Sequence, residues 1–247
     1  MTNSDIEIKG RRELALALRW AARLGFHEGT CNHFSLALPE TGFYLINPFG
    51  VHFSEIRPRD LLLVDEEGRV LAGDGGVEIT AFQIHSSLHR ARADALCVMH
   101  THMPYATALA TTASLRLAYC HQNALRFLGR VAYDDEAGGY GGLAVAQSEG
   151  ERMAAAIGDS DILFLRSHGV VVTGPSVARA FDDLYYLERA AQVQVLALST
   201  HAPLATIGDN VAKETAAEFR RTVDVYAQAH LLALERMMSR QEPGWDQ

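Results

Sequence analysis

Residues 161–174, "DILFLRSHGVVVTG", hold two short apolar runs interrupted at Ser167-His168-Gly169. Runs of this length and branched-residue content read as two buried strands with a tight break between them. A second apolar run, "ALCVMHTH" (95–102), reads as another buried strand, lying behind a helix over 80–92 that has Thr80 as its expected N-cap. Helical spacing recurs over 10–25, 104–112, 121–129, 146–158, Val177–Ser199 and about Val211–Ser239. "HFSLAL" and "GFYLINP" read as strands joined by the turn "PETG". Residues 60–75 read as a hairpin turning at Glu66-Glu67-Gly68, and "VAYD" as a further strand. There is no internal repeat or linker-like tract, so the expectation is a single mixed α/β domain over 1–247, with a core at about 10–200 and a C-terminal helix at about 211–239.

The formal net charge of −8, with no basic run, argues against nucleic-acid binding. No apolar segment reaches the roughly 18 residues of a membrane helix, and the first residues lack a signal-peptide pattern. Cys31, Cys97 and Cys120 are an odd count without CxxC spacing. Together these lead to the expectation of a reduced, cytoplasmic protein.

The chemistry concentrates on histidines. In a strand, residues two apart face the same way, so His100 and His102 can point at one centre. His168, at the strand break, can supply a third nitrogen, and three protein ligands with an open position form the pattern of a catalytic zinc site. Histidines in apolar strands are also ordinary core residues, and spacing alone leaves both readings open. His85 and His89, four apart on one helical face and without an HExxH glutamate, are read as structural. His33 borders a glycine turn in a polar stretch and is harder to dismiss.

Four segments in order, "GTCNHFSLAL", "LINPFG", "IHSSLHRARADALCVMHTH" and "LFLRSHGVVVTGPSVARAFDDLYYLERAA", resemble the class II aldolase/adducin family over roughly residues 10–200. The resemblance implies a three-layer α/β/α sandwich around a largely antiparallel sheet, assembled as a homotetramer with active sites at subunit interfaces. It also implies that His100, His102 and His168 hold one divalent metal per subunit, zinc or manganese. Such an ion is a Lewis acid that stabilises an enolate when a neighbouring carbon–carbon bond breaks. Aldol cleavage, decarboxylation, epimerisation and dehydration share that need, so the fold does not choose among them.

The departures from the family pattern are more selective. Sugar-phosphate aldolases of the family carry an acid/base glutamate four residues before the histidine that matches His85; here that position is Ala81, with Glu78 three residues earlier. The usual serine pair becomes Ile79-Thr80. The phosphate-binding turn becomes "NPFG", leaving Phe49 and Gly50 to meet a flatter, apolar substrate. Asn32 and Ser35 match the family's polar loop and are expected at the substrate's anionic end. With the glutamate absent, His33 or a tyrosine is the expected proton donor; Tyr133 and Tyr140 flank a glycine-rich loop that can reach a neighbouring subunit's site, and Tyr140 is the tyrosine chosen.

The expectation is therefore a metal-dependent lyase for a small non-phosphorylated hydroxy- or oxo-carboxylate, foremost a decarboxylase of a hydroxylated aromatic or heteroaromatic carboxylate. Retro-aldol cleavage of a hydroxy-oxo acid, a sugar-phosphate epimerase or dehydratase, and a non-catalytic adducin-like interaction module stand as alternatives. Arg92, Tyr185, Tyr186 and Glu188 are read mainly as packing or ion-pair residues.

Overall fold

A computed structural model describes residues 3–114, 116–134 and 147–247. Eight strands form one sheet: β1 (His33–Leu38), β2 (Phe43–Ile46), β3 (Leu62–Val64), β4 (Val70–Ala72), β5 (Cys97–Thr101), β6 (Val131–Asp134), β7 (Ile162–Leu165) and β8 (Gly169–Gly174). Their spatial order is β4-β3-β2-β1-β5-β8-β7-β6, and every neighbouring pair is antiparallel except β6–β7. The helices are α1 (Asn3–Leu24), α2 (Ile79–Ala91), α3 (Pro104–Ala110), α4 (Gln147–Ile157), α5 (Val177–Leu198) and α6 (Asp209–Gln241).

Strand alternation sorts side chains into two layers of core. Cys97 and Met99 of β5, Val170 and Val172 of β8, and Phe34 of β1 pack with α1, α3 and α5 on one face. Val98, Val171, Leu163 and Leu165 point the other way and meet Ile84 and Leu88 of α2 and Met153 and Ile157 of α4. Helices therefore cover both faces, the three-layer arrangement that the sequence resemblance implies. Among the described residues, no helix is long and apolar enough to cross a membrane.

Two local expectations are corrected. α1 begins at Asn3 rather than near residue 10; its polar first turns carry little apolar signal and are supported by Glu7–Arg11 and Lys9–Glu13 pairs at helical spacing. α2 is capped by Glu78, not Thr80: Glu78 is extended, and its carboxylate accepts the Ala81 N–H at 2.7 Å and the Thr80 hydroxyl. Glu78 takes the N-cap place by accepting the N–H three residues on, so the helix begins at Ile79.

α2 lies close against α4 because position 150 lacks a side chain. A Cβ there would stand 2.2 Å from the Gln83 carbonyl oxygen. α2 in turn presents His85 and His89 to the underside of β1.

Candidate metal centre and cleft

The end of β5 and the β7–β8 turn bring three imidazoles together. β5 pairs with β8 antiparallel with Thr101 opposite Val170, so His102 comes level with Gly169 and next to His168. Ser167 turns the chain in the left-handed region at φ 56°, and its N–H donates to the Ala110 carbonyl at 3.0 Å. The nitrogens that His100, His102 and His168 can offer all lie within 4.8 Å of one another. Gly169 permits this closeness, since a Cβ there would sit 2.5 Å from the Thr101 oxygen and 2.8 Å from the His102 ring.

The hydrogen bonds decide which nitrogen each ring presents. His100 Nδ1–H donates to the Val170 carbonyl at 3.0 Å, and His102 Nδ1–H donates to the Glu28 carboxylate at 2.5 Å. Both rings then carry a lone pair on Nε2, and these two atoms face each other at 3.1 Å. Two lone pairs at that distance repel unless a proton or a cation lies between them. Zinc–nitrogen bonds of about 2.0–2.1 Å put tetrahedral neighbours about 3.3 Å apart, so the pair fits one ion. Burial, and then the nearby His102, hold His168 at about 4. Burial and the surrounding histidines hold His100 well below its ordinary value. Both are thus neutral at pH 7, the state that ligates a metal.

Glu28 was not singled out from sequence, because nothing local links it to a histidine 74 residues away. Outer partners of this kind orient ligating histidines. Glu28→Gln is expected to weaken metal affinity by about 10–100-fold without altering the fold, since this side chain is 68% exposed. Competition against a chromophoric chelator measures it.

The three histidines open on a cleft of about 260 Å³, whose walls include His33, Phe49, Glu78 and Cys31. His33 heads β1 directly opposite His100 in the antiparallel register, with ring centroids 4.8 Å apart. Burial, then its nearness to the imidazoles of His102 and His168, lower it to about 3. Phe49 stands 64% exposed at the cleft. Gly50 follows it at φ 77° and forms the turn without lining the cleft.

Asn32 is buried and accepts the Glu28 N–H through Oδ1 at 2.7 Å, while its Nδ2 has no partner among the described residues. Ser35 departs from expectation: its hydroxyl is buried beneath β1 and engaged by His85 at 2.5 Å and His89 at 2.7 Å, away from the cleft. It shares a face with His33 but lies one strand repeat further in, so α2 covers it. Tyr140 lies outside the described residues.

The remaining residues make packing and polar contacts within the fold. Glu188 on α5 accepts the Tyr105 and Ala106 N–H groups, both at 2.9 Å, and so fixes the first turn of α3 immediately after His102. Tyr133 stacks on Phe164 at 5.2 Å, Arg92 pairs with Asp94 and Asp161, and Tyr185 meets Tyr186 edge-on.

His89 also sets an acid limit on stability. Burial holds its imidazole at about 4 in the folded chain, against about 6.5 when unfolded. Below pH 6.5 the unfolded state binds a proton that the folded state refuses. The contribution is therefore full above about 6.5 and declines, by roughly 3 kcal/mol, as pH falls to about 4. Urea unfolding of metal-free protein at pH 7 and pH 5 is expected to show the loss, and His89→Phe to reduce it by the His89 share, the other buried histidines keeping the rest.

The family profile described as Class II Aldolase and Adducin N-terminal domain matches residues 12–195. The chain belongs to the class II aldolase and adducin family. It is 33% identical to Decarboxylase NovR of Streptomyces niveus, over 88% of this chain and 77% of that protein. It is 35% identical to an adducin-related protein of Schizosaccharomyces pombe over 83% of this chain, and spans only 63% of that relative's length. Among solved structures, L-fuculose 1-phosphate aldolase from Glaciozyma antarctica superposes with a TM-score of 0.85, at 26% identity, over 97% of this chain and 93% of that one. The family thus includes proteins named as a decarboxylase, an aldolase and an adducin relative, and the choice among them falls to the site.

Proposed function

We propose that this chain is a divalent-metal-dependent carbon–carbon lyase that decarboxylates a hydroxylated aromatic or heteroaromatic carboxylate. The carrying observation is a three-histidine centre whose cleft receives no carboxylate from position 81, a buried alanine outside the residues that line it. Ala81 is packed against Tyr44, Ile46, Leu62 and Val64, surroundings that would penalise a carboxylate. Carbon–carbon cleavage that needs a base at that point is thereby disfavoured, whereas loss of CO2 needs only an electron sink and a proton exchange. The likeness to Decarboxylase NovR supports the same choice.

His100, His102 and His168 hold the ion, and neutral imidazoles accept zinc and manganese alike. When bound, the ion supplies Lewis acidity to adjacent substrate oxygens. Phe49 offers its ring to a flat substrate. Asn32 is assigned to the carboxylate end by the family resemblance alone, since its Nδ2, partnerless among the described residues, is buried and Asn32 is not among the residues lining the cleft. His33 exchanges the proton, removing it from the substrate hydroxyl and returning it to the ring carbon that loses CO2. The active form is a cytoplasmic homo-oligomer, a tetramer by family resemblance. Exposed apolar residues on α6, Val225 and Tyr226 among them, are compatible with subunit contacts.

One observation favours a second reading, retro-aldol cleavage. Glu78, shifted three residues from the aldolase position, lines the cleft and could act as base. Incubating metal-loaded protein with hydroxylated aromatic and pyridine carboxylates, and separately with 4-hydroxy-2-oxo acids, decides between them. Release of CO2 from the first group is expected; aldehyde and pyruvate from the second alone would overturn the decarboxylase.

A further inference from the structure

The two histidines of α2 are not isolated core residues. A single line of hydrogen bonds runs from the Ala95 carbonyl to the cleft. His89 Nδ1 meets the Ala95 oxygen at 2.7 Å, His89 Nε2 meets the Ser35 hydroxyl at 2.7 Å, the same hydroxyl meets His85 Nδ1 at 2.5 Å, and His85 Nε2 meets His33 Nδ1 at 2.7 Å. All four side chains are buried.

A carbonyl oxygen only accepts, and this fixes the direction of every bond that follows. His89 must place its hydrogen on Nδ1, so its Nε2 is an acceptor. The Ser35 O–H therefore donates to His89 and leaves its oxygen lone pair for His85. His85 donates from Nδ1, so its Nε2 accepts, and only His33 Nδ1–H can supply that bond. A neutral imidazole carries one N–H, so His33 Nε2 is left with a lone pair.

We propose that Ser35, His85 and His89 are positioning residues that lock His33 in the tautomer whose Nε2 accepts a proton. The proposal rests on the assignment of His33 as the proton-exchanging group and sets the order of its work. His33 enters the cycle as a base: Nε2 takes the substrate hydroxyl proton, and the oxygen keeps the bonding pair. The resulting imidazolium then returns that proton to the ring carbon. The carbon–carboxylate pair goes back into the ring as CO2 departs, and the phenolate regains a proton from solvent. The line also explains Ser35 and His89, which the cleft does not use.

Zinc-loaded protein with 15N-labelled histidine tests this without any substrate, using long-range nitrogen–proton correlation spectra and His33→Gln to assign the His33 signals. The expected wild-type pattern is a protonated His33 Nδ1 and a bare Nε2. In His89→Phe the aromatic ring keeps the stacking on Tyr44, now 4.9 Å between centroids, but removes the acceptor. Ser35 then donates to His85, His85 Nε2–H donates to His33, and the His33 hydrogen moves to Nε2. Ser35→Ala breaks the line and mixes the two tautomers, while Ser35→Thr restores the wild-type pattern.

A wild-type Nε2–H, or Nδ1–H retained in both His89→Phe and Ser35→Ala, overturns the proposal. His89→Phe alone suffices if Ser35→Ala does not fold. Should no carboxylate be turned over, the function assigned above fails while the tautomer result stands. Where turnover is found, His89→Phe is expected to lower kcat at least tenfold with KM unchanged.

Discussion

His100→Ala is expected to abolish stoichiometric metal binding and to lower turnover by about a thousandfold or more. The three rings are nearly equidistant, with centroids 4.9 Å apart for His100–His102, 4.7 Å for His100–His168 and 4.8 Å for His102–His168, so each is one full member of the triad. The His100 Nδ1 bond to the Val170 carbonyl fixes the ring that presents Nε2. Removal of His100 leaves two histidines from different segments, too few to hold an ion that prefers four-coordination with three protein ligands. Electrostatic stabilisation of developing charge commonly supplies several kcal/mol, which sets the scale of the rate loss. Elemental analysis of purified, metal-loaded variant and wild type provides the check. A full complement of metal in His100→Ala would remove the triad from consideration.

Gly169→Ala is expected to have the second-largest effect, and for a different reason. The backbone at Gly169 is not among the positive-φ positions, so alanine meets no conformational penalty there. The obstacle is space: the new methyl would lie 2.5 Å from the Thr101 carbonyl oxygen and 2.8 Å from His102 Cδ2. Overpacking of this kind costs about 1–3 kcal/mol, and the route to relief is displacement of the end of β5. That end carries His102. Metal affinity is expected to fall more than tenfold while far-UV circular dichroism stays close to wild type. Calorimetric titration with zinc, alongside the thermal midpoint, separates this from general unfolding. Unchanged affinity would mean that His102 tolerates the shift.

Much of the framework is legible in the residues. The two apolar runs around Ser167-His168-Gly169 became β7 and β8, and "ALCVMHTH" contains β5, because short branched runs have few alternatives to buried strands. The period of two places His100 and His102 on one face. What sequence could not supply is cross-strand register. His33 stands opposite His100 only because β1 and β5 pair antiparallel in that alignment, and a slip of one residue would turn His33 to the other face. Ser35 was misplaced for the same reason: membership of a polar loop says nothing of the helix that covers it. His85 and His89 were read as structural, and they are buried. Their line to His33 depends on where α2 crosses β1, which no spacing within α2 records.

Sequence by itself therefore determined the kind of chemistry available: three imidazoles with metal-ligand spacing, an alanine in place of an acid, and an aromatic at the turn. Tertiary structure decided how that chemistry is aimed. Which nitrogen of each histidine faces the cleft depends on acceptors supplied from elsewhere in the fold: the Val170 carbonyl for His100, Glu28 for His102, and for His33 the line that ends at Ala95. A neutral imidazole can carry its hydrogen on either nitrogen until a fixed acceptor claims one of them, and only the folded chain fixes where that acceptor stands.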